Sequence, residues 1–137
     1  MFAAGLADNW CNVPTQMPPK TRNSPVARFR MRVTAGDVIA IGPGKIALLE
    51  AIGETGSLTS AAKSLDMSYR RAWMLLDELN NALKKPAVAS VKGGQHGGGS
   101  ELTDVGRQLV ELYRRIDSTA TRACAPDIKR LLGLLSR

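Results

Sequence analysis

The stretch SLTSAAKSLDMSYRRAWMLLDELN, residues 57–80, decides the fold. Ser57 and Ser68 each precede a segment whose apolar residues recur every three or four positions, which is typical of helix N-caps followed by amphipathic helices. The letters LDMS between the two segments favour a turn. The stretch therefore predicts two helices joined by a tight turn, which is the layout of a helix-turn-helix.

The second helix of this stretch is expected to hold an apolar stripe on one side and two arginines on the other. The residues predicted to face inward are Tyr69, Ala72, Trp73, Leu76, Leu79 and Leu83. The two aromatic rings are therefore interpreted as core packing rather than as base-stacking groups. Arg70 and Arg71 then point away from the core at the N-terminal end of the helix. A helix fits the major groove, where arginine can donate two hydrogen bonds to guanine. Contact with duplex DNA is favoured, and solubilising a surface helix is the alternative for these arginines.

The composition is that of one small basic domain. The chain has 137 residues, with 19 Lys+Arg against 12 Asp+Glu and a net charge of +7, a surplus that attracts polyanions such as nucleic acid. Ribosomal and membrane-surface proteins share this bias. The sequence contains no run of roughly 18 apolar residues and no apolar leader, so a cytosolic protein is expected. Cys11 and Cys124 are too few for a disulfide framework or a zinc site and are expected to be thiols.

The N-terminal part is expected to contain a mobile tail, residues 1–25, and a β-hairpin, residues 28–41. The tail combines proline and polar residues with little periodicity. The letters VARFRMRV alternate apolar residues with arginines, the pattern of a strand with one buried face. The letters TAGD predict the turn, and VIAI predicts the second strand.

The next segment, GPGKIALLEAIGETGS, predicts a helix that begins near a proline and buries Ile46, Leu49 and Ile52. Its glycines also match a variant of the dinucleotide-binding fingerprint. That fingerprint requires a second parallel strand after the helix, whereas here another helix is predicted. A nucleotide cofactor is therefore not expected.

The letters AVASVKGGQHGGGSELT predict a wing, with a short strand, a glycine-rich tip and a returning strand. Lys92 and His96 can interact with phosphates or reach toward the minor groove, and glycines allow close approach to the DNA backbone. The segment lacks the GK[ST] ending of a phosphate-binding loop. His96 has no cysteine or carboxylate at ligand spacing, so no metal site is predicted.

Two C-terminal helices are expected, the first capped by Thr103 and the second beginning near Pro126. Both are strongly amphipathic and carry more apolar residues than a winged domain needs, which favours self-association. The alternative is that both helices only close the core. The predicted dimer contacts are Leu109, Leu112, Ile116, Leu131 and Leu135. The domain limits are expected at residues 26–125, with residues 126–137 as a helix that belongs to the dimer or to the core.

The motifs TGSLTSAAK, MSYRRAW and GGQHGGGSELTDVG together resemble the N-terminal DNA-binding domain of the molybdate-dependent transcriptional regulators, the ModE family, whose helix-turn-helix is LysR-like. The resemblance covers residues 28–113. It implies a bacterial protein that is mainly α with small β elements: a winged helix-turn-helix with an N-terminal hairpin and C-terminal dimerisation helices. Members have a C-terminal molybdate-binding domain. Because this chain ends at Arg137, molybdate binding is not expected in it. No other cofactor is predicted.

The resemblance implies a DNA-binding regulator that acts as a homodimer on an inverted repeat. The motifs and the resemblance together predict which residues contact DNA. These are Ser57, Thr59, Ser68, Tyr69, Arg70, Arg71, Met74, Lys92, Gly93, Gly94 and His96. The alternative is a winged-helix protein-interaction module that docks a partner through Met74 and Leu75. An enzyme is not expected, because the sequence has one histidine and no catalytic constellation.

Overall fold

The computed structural model of the protein describes residues 24–92 and 99–136. Most of the predicted tail, and the tip of the predicted wing, lie outside these residues. The elements, in chain order, are β1 (Val33–Ala35), β2 (Val38–Ile41), α1 (Pro43–Thr55), α2 (Leu58–Ser64), α3 (Tyr69–Ala82), β3 (Val88–Val91), β4 (Gly99–Leu102), α4 (Asp104–Ala123) and α5 (Ala125–Gly133).

The chain forms two compact units. One unit is Phe29–Arg122, and the described part of the other consists of residues 24–28 and 123–136. The hydrophobic core of the first unit is formed by α1, α2 and α3 together with Ala87, Val88 and Tyr113. No helix within the described residues is long and apolar enough to cross a membrane.

The N-terminal hairpin is shorter than the alternation predicts. β1 begins only at Val33, pairs antiparallel with β2, and includes Thr34 and Ala35, which were predicted as turn residues. The prediction of a strand before Val33 is wrong because β2 ends at Ile41 and Pro43 already begins α1, so the earlier residues have no strand to pair with. The predicted buried face is also wrong, since Phe29 and Val33 are both exposed.

The segment before β1 is nevertheless tied to the core by one buried tyrosine. The hydroxyl of Tyr113 in α4 donates a hydrogen bond of 2.9 Å to the backbone carbonyl of Met31. Met31 itself packs against the core. Hydrogen bonding to α4 therefore replaces strand pairing as the contact that holds this segment.

Helix α1 forms as the sequence predicts. Pro43 occupies its first turn, and Ile46, Leu49 and Ile52 are fully buried. The helix ends at Gly56, whose φ of 74° lies in the left-handed region that glycine adopts without strain. Because α2 follows directly, the parallel strand of a dinucleotide-binding unit is not formed here.

The second hairpin, β3 and β4, is fixed to the helices at its base. The amide of Ser100 donates 2.9 Å to the carbonyl of Gly56, and the amide of Thr103 donates 2.9 Å to the carbonyl of Ala87. Gly106 in α4 approaches Ala87, the residue before β3, so closely that a Cβ there would overlap the carbonyl oxygen of Ala87. These contacts orient the wing relative to α1 and α4.

Helices α4 and α5 differ in how much they bury. Thr103 caps α4 as predicted, with its Oγ1 accepting 3.1 Å from the amide of Gly106, and α4 buries Gly106 and Tyr113. Helix α5 contains no buried residue.

Candidate nucleic-acid interface

A serine caps the start of each helix of the pair α2 and α3, and the turn between them contains one left-handed residue. Ser57 Oγ accepts 3.2 Å from the amide of Ser60, and Ser68 Oγ accepts 3.1 Å from the amide of Arg71. Asp66 has a φ of 56°, and the amide of Met67 donates 3.0 Å to the carbonyl of Ala62. The predicted caps and turn are confirmed. Both serine oxygens satisfy helix amides and leave their hydroxyl protons free to donate.

Small residues bring α3 close to the helix before it. Ala61 and Ala62 of α2 and Ala72 of α3 are almost completely buried. Alanine contacts allow two helix backbones to approach closely, so this contact sets the rotation of α3 about its own axis. The inward side of α3 is formed by Ala72, Leu75, Leu76, Leu79 and Leu83.

The outer face of α3 consists of Tyr69, Arg70, Trp73, Met74 and Asp77. The predicted inward orientation of Tyr69 and Trp73 is wrong, because their exposed fractions are 54% and 51%. Successive helical residues differ by about 100° in direction, so Trp73 lies about a quarter turn from Ala72, the point of closest packing. Neither large ring fits a contact made by alanines. Met74 is 48% exposed, as predicted, whereas Leu75 packs against the core and is not an outward residue.

Arg70 and Arg71 are both exposed, but they point to different sides of α3. Arg70 shares the outer face with Trp73 and Met74. Arg71 lines a cavity with Leu75 and with residues that flank β1, β2 and α1. Neither guanidinium forms an ion pair within the described residues. The two arginines therefore place positive charge on two different sides of α3.

Farther along α3 the outer face becomes neutral to acidic. Asn81 Nδ2 donates 3.3 Å to Asp77 Oδ2, which holds this carboxylate along the helix. The positive charge of the outer face is thus confined to its N-terminal half. This is the end from which recognition helices contact base edges in helix-turn-helix proteins.

Of the other predicted contact residues, Thr59 is exposed in the first turn of α2, and Ser57 is partly buried just before it. Lys92 is exposed directly after β3. The remaining wing residues, Gly93, Gly94 and His96, lie outside the described residues. The helices α2 and α3 and the strands β3 and β4 all lie in the compact unit Phe29–Arg122.

The acidic, histidine and cysteine side chains of the described residues do not gather into a metal-binding group. The described part of the chain contains no group of three or more His, Cys, Asp or Glu residues that could hold a metal ion. A hydrogen bond from Arg114 lowers the pKa of Glu50, and the same contact raises the pKa of Arg114. This pair joins α1 to α4.

Lys45 is a functional candidate that the sequence analysis missed. Its side chain is only 5% exposed, and its ammonium donates to the carbonyl of Ile39 and lies 3.1 Å from Glu78 Oε1. The sequence did contain an indication of its burial, because Lys45 precedes the buried Leu48 by three residues and the buried Ile52 by seven, which places it on the same helix face. A lysine in a buried stripe requires partners, and these come from β2 and α3.

The predicted dimer contacts divide into covered and uncovered residues. Leu109 packs partly against the core of its own chain. On α4, Leu112 and Ile116 have exposed fractions of 42% and 47%. Leu131 of α5 and Leu135 beyond its end are also exposed.

No family model matches the chain. The molybdenum transport protein ModE of Azotobacter vinelandii is 42% identical over 92 residues, 67% of this chain and 33% of that protein. The DNA-binding transcriptional dual regulator ModE of Escherichia coli (strain K12) is 38% identical over 71 residues, 52% of this chain and 27% of that protein. The chain thus spans about a third or less of the length of these curated relatives.

The fold is similar to that in the crystal structure of the CbnR_DBD–DNA complex. The TM-score is 0.50 and the identity 25%, over 64% of this chain and 95% of that chain. The comparisons confirm that the chain resembles the ModE-type regulators and that its fold is a winged helix-turn-helix.

Proposed function

We propose that the chain is a sequence-specific DNA-binding domain of a transcriptional regulator. The observation that carries the proposal is the outer face of α3, where Tyr69, Arg70, Trp73 and Met74 are exposed on a helix whose other side is fixed in the core. A rigid helix with an unpaired arginine and large exposed side chains has the shape and chemistry to read a major groove. The net charge of +7 attracts the duplex.

Each part of the site has a chemical role in this proposal. Arg70 donates two hydrogen bonds to a guanine, while Trp73 and Met74 supply apolar contact to a thymine methyl group. The hydroxyl groups of Ser57, Thr59 and Ser68 donate to phosphates, which fix the register of the helix on the duplex. Lys92, with Gly93, Gly94 and His96, contacts the backbone next to the major groove or reaches the minor groove.

The names of similar proteins support this function. The relatives include proteins named as transcriptional regulators, and the similar structure is that of a complex with DNA. Two relatives are also named for molybdenum transport, so genes connected with molybdenum are the proposed targets. The proposed setting is the bacterial cytoplasm, where the chromosome lies.

A homodimer on an inverted repeat is the proposed assembly. An apolar cavity of about 290 Å³ lies between the segment before β1 and α4, where it is lined mainly by Phe29, Met31, Tyr113, Ile116 and Ala120. Leu112 stands exposed one turn before Ile116. A second copy would cover this surface and double the length of sequence that is read.

Selection of bound fragments from a random pool of duplex DNA tests the proposed function. The expected result is enrichment of one motif whose affinity falls as salt rises. A pool that stays random, with binding that does not depend on salt, would instead favour a protein-docking role for Trp73 and Met74.

A further inference from the structure

A cavity of about 290 Å³ lies beside α3, at Arg71, Leu75 and Glu78, and is rich in cations. It is smaller than most small-molecule pockets, which measure about 300–1,000 Å³, so it suits a compact group. Its charged lining residues are Arg30, Arg32, Lys45, Arg71 and Glu78. They come from the segment before β1, from α1 and from α3.

The single carboxylate of this cavity is already engaged by a lysine. Glu78 Oε1 lies 3.1 Å from the ammonium of Lys45, so these two charges largely compensate each other. Arg30, Arg32 and Arg71 form no ion pair and no side-chain hydrogen bond within the described residues. Three guanidinium groups gathered around one cavity repel one another unless an anion lies between them.

The backbone at the cavity supplies further donors and leaves room for a ligand. Gly42, the residue before α1, makes no side-chain cap, and the first bond of the helix runs from the amide of Ile46 to the carbonyl of Gly42. The amides of Gly44 and Lys45 precede that bond and are therefore free of helical partners. Nothing lies within 4 Å of the position of a Cβ at Gly44.

Lys45 is the buried lining residue of this site, and its ammonium is held in place by two partners. Its ammonium donates a hydrogen bond to the carbonyl of Ile39 and forms an ion pair with the carboxylate of Glu78, whose Oε1 lies 3.1 Å from the nitrogen. The side chain is 5% exposed and lines the cavity, and its charge is balanced by Glu78, so the excess positive charge of the site comes from the three arginines. The aliphatic part of Arg32 packs beside Gly42, where a Cβ would lie 3.6 Å from Arg32 Cγ.

We propose that this cavity is an oxyanion site that binds a phosphate group, and that the phosphate belongs to the DNA backbone beside the groove occupied by α3. Guanidinium groups match the geometry of phosphate oxygens, and free amides at a helix start favour the same charge. The identification of DNA as the source rests on the proposed function. The oxyanion chemistry rests only on the cavity, and a free phosphate would satisfy it equally.

The test compares two double variants that remove the same charge. Arg30→Gln/Arg32→Gln alters the cavity, whereas Arg115→Gln/Arg122→Gln alters two exposed arginines of α4 that do not line it. Arg71 is left unchanged because the sequence predicts that it contacts DNA independently of the cavity. Thermal unfolding of both variants checks that each is folded before binding is measured.

The first measurement is the dependence of duplex affinity on salt. Each phosphate contact contributes about 0.9 to the slope of log K against log salt. The cavity variant should lose about one phosphate contact more than the α4 variant. In the second measurement, inorganic phosphate is titrated into the chain, and the amide shifts of Gly44 and Lys45 are expected to move in the unmodified protein and not in the cavity variant.

The outcomes separate the two possible sources of phosphate. A reduced salt slope supports a DNA phosphate at the site, and phosphate-dependent shifts with an unchanged slope support a free oxyanion instead. Equal slopes for both variants together with no shift at Gly44 and Lys45 overturn the proposal. If the unmodified chain does not bind DNA, the proposed function fails, while the phosphate titration still decides the chemistry of the cavity.

Discussion

The buried ammonium of Lys45 lies 3.1 Å from the half-exposed carboxylate of Glu78, and this contact joins the start of α1 to α3. The two partners are not equally important for stability. Losing the carboxylate leaves a buried charge without its counter-ion, whereas losing the lysine leaves a carboxylate that water can still solvate.

Glu78→Ala is therefore expected to destabilise the fold by about 1–3 kcal/mol, because the ammonium of Lys45 stays buried. Lys45→Met keeps the volume of the side chain and removes the charge, so its effect is expected to stay within about 1 kcal/mol. Urea unfolding at neutral pH measures both. A larger decrease in the free energy of unfolding for Lys45→Met than for Glu78→Ala would contradict the expectation that the carboxylate matters more for stability than the lysine.

Trp73→Ala tests the orientation of α3. Because half of the Trp73 side chain is exposed, its removal is expected to lower the free energy of unfolding by only about 1 kcal/mol. Leu79→Ala, on the buried side of the same helix, is expected to cost about 2–5 kcal/mol. Comparable losses for the two variants would place Trp73 in the core.

The pair of Glu50 and Arg114 makes stability depend on pH. The hydrogen bond from Arg114 lowers the pKa of Glu50 from its ordinary value of 4.5, so the folded state binds this proton less readily than the unfolded state. The contribution is therefore present above pH 4.5 and is lost as the pH falls through the lowered pKa.

Glu50→Gln is accordingly expected to reduce stability by about 0.2–1 kcal/mol at pH 7, the range of a partly exposed ion pair. The difference between variant and unmodified chain should shrink below pH 4.5. Urea unfolding of both proteins at pH 7 and at pH 3 measures this difference in stability. A difference that is larger at pH 3 than at pH 7 would contradict a lowered pKa of Glu50 in the folded state.

Dimerisation is tested by placing charge on the uncovered surface of α4. Leu112→Glu/Ile116→Glu is expected to give a folded monomer with weak DNA binding, because unpaired charges would be buried at an apolar contact. Sedimentation at tens of micromolar protein measures the assembly. If the unmodified chain is already a monomer and binds a single half-site tightly, the dimer is not the DNA-binding form.

The helix boundaries were predictable because they depend on local chemistry. Ser57, Ser68 and Thr103 each accept from an amide three residues later, and this spacing is visible in the sequence. The burial of Ile46 and Ile52 also follows from spacing alone.

The rotation of α3 was not predictable, because it depends on a contact between helices. The leucines are compatible with inward stripes that include either Trp73 or Leu75, and the alanine contact at Ala72 selects the second. The cavity was missed for the same reason. Arg30, Lys45 and Arg71 are far apart in sequence, and no local pattern indicates that they line one cavity.

The central claim is that Arg70 reads bases from the outer face of α3. The most direct measurement is the affinity of three proteins for a selected duplex and for a scrambled duplex of equal length. The proteins are the unmodified chain, Arg70→Ala, and Arg115→Ala as a control with the same loss of charge on α4. Fluorescence anisotropy at one fixed salt concentration gives the six dissociation constants.

Arg70→Ala is expected to lose about 1–3 kcal/mol, roughly 5- to 150-fold, on the selected duplex and much less on the scrambled one. Arg115→Ala is expected to change both affinities slightly and equally. Equal losses of Arg70→Ala on the two duplexes would contradict the claim, because Arg70 would then contact phosphate rather than a base edge.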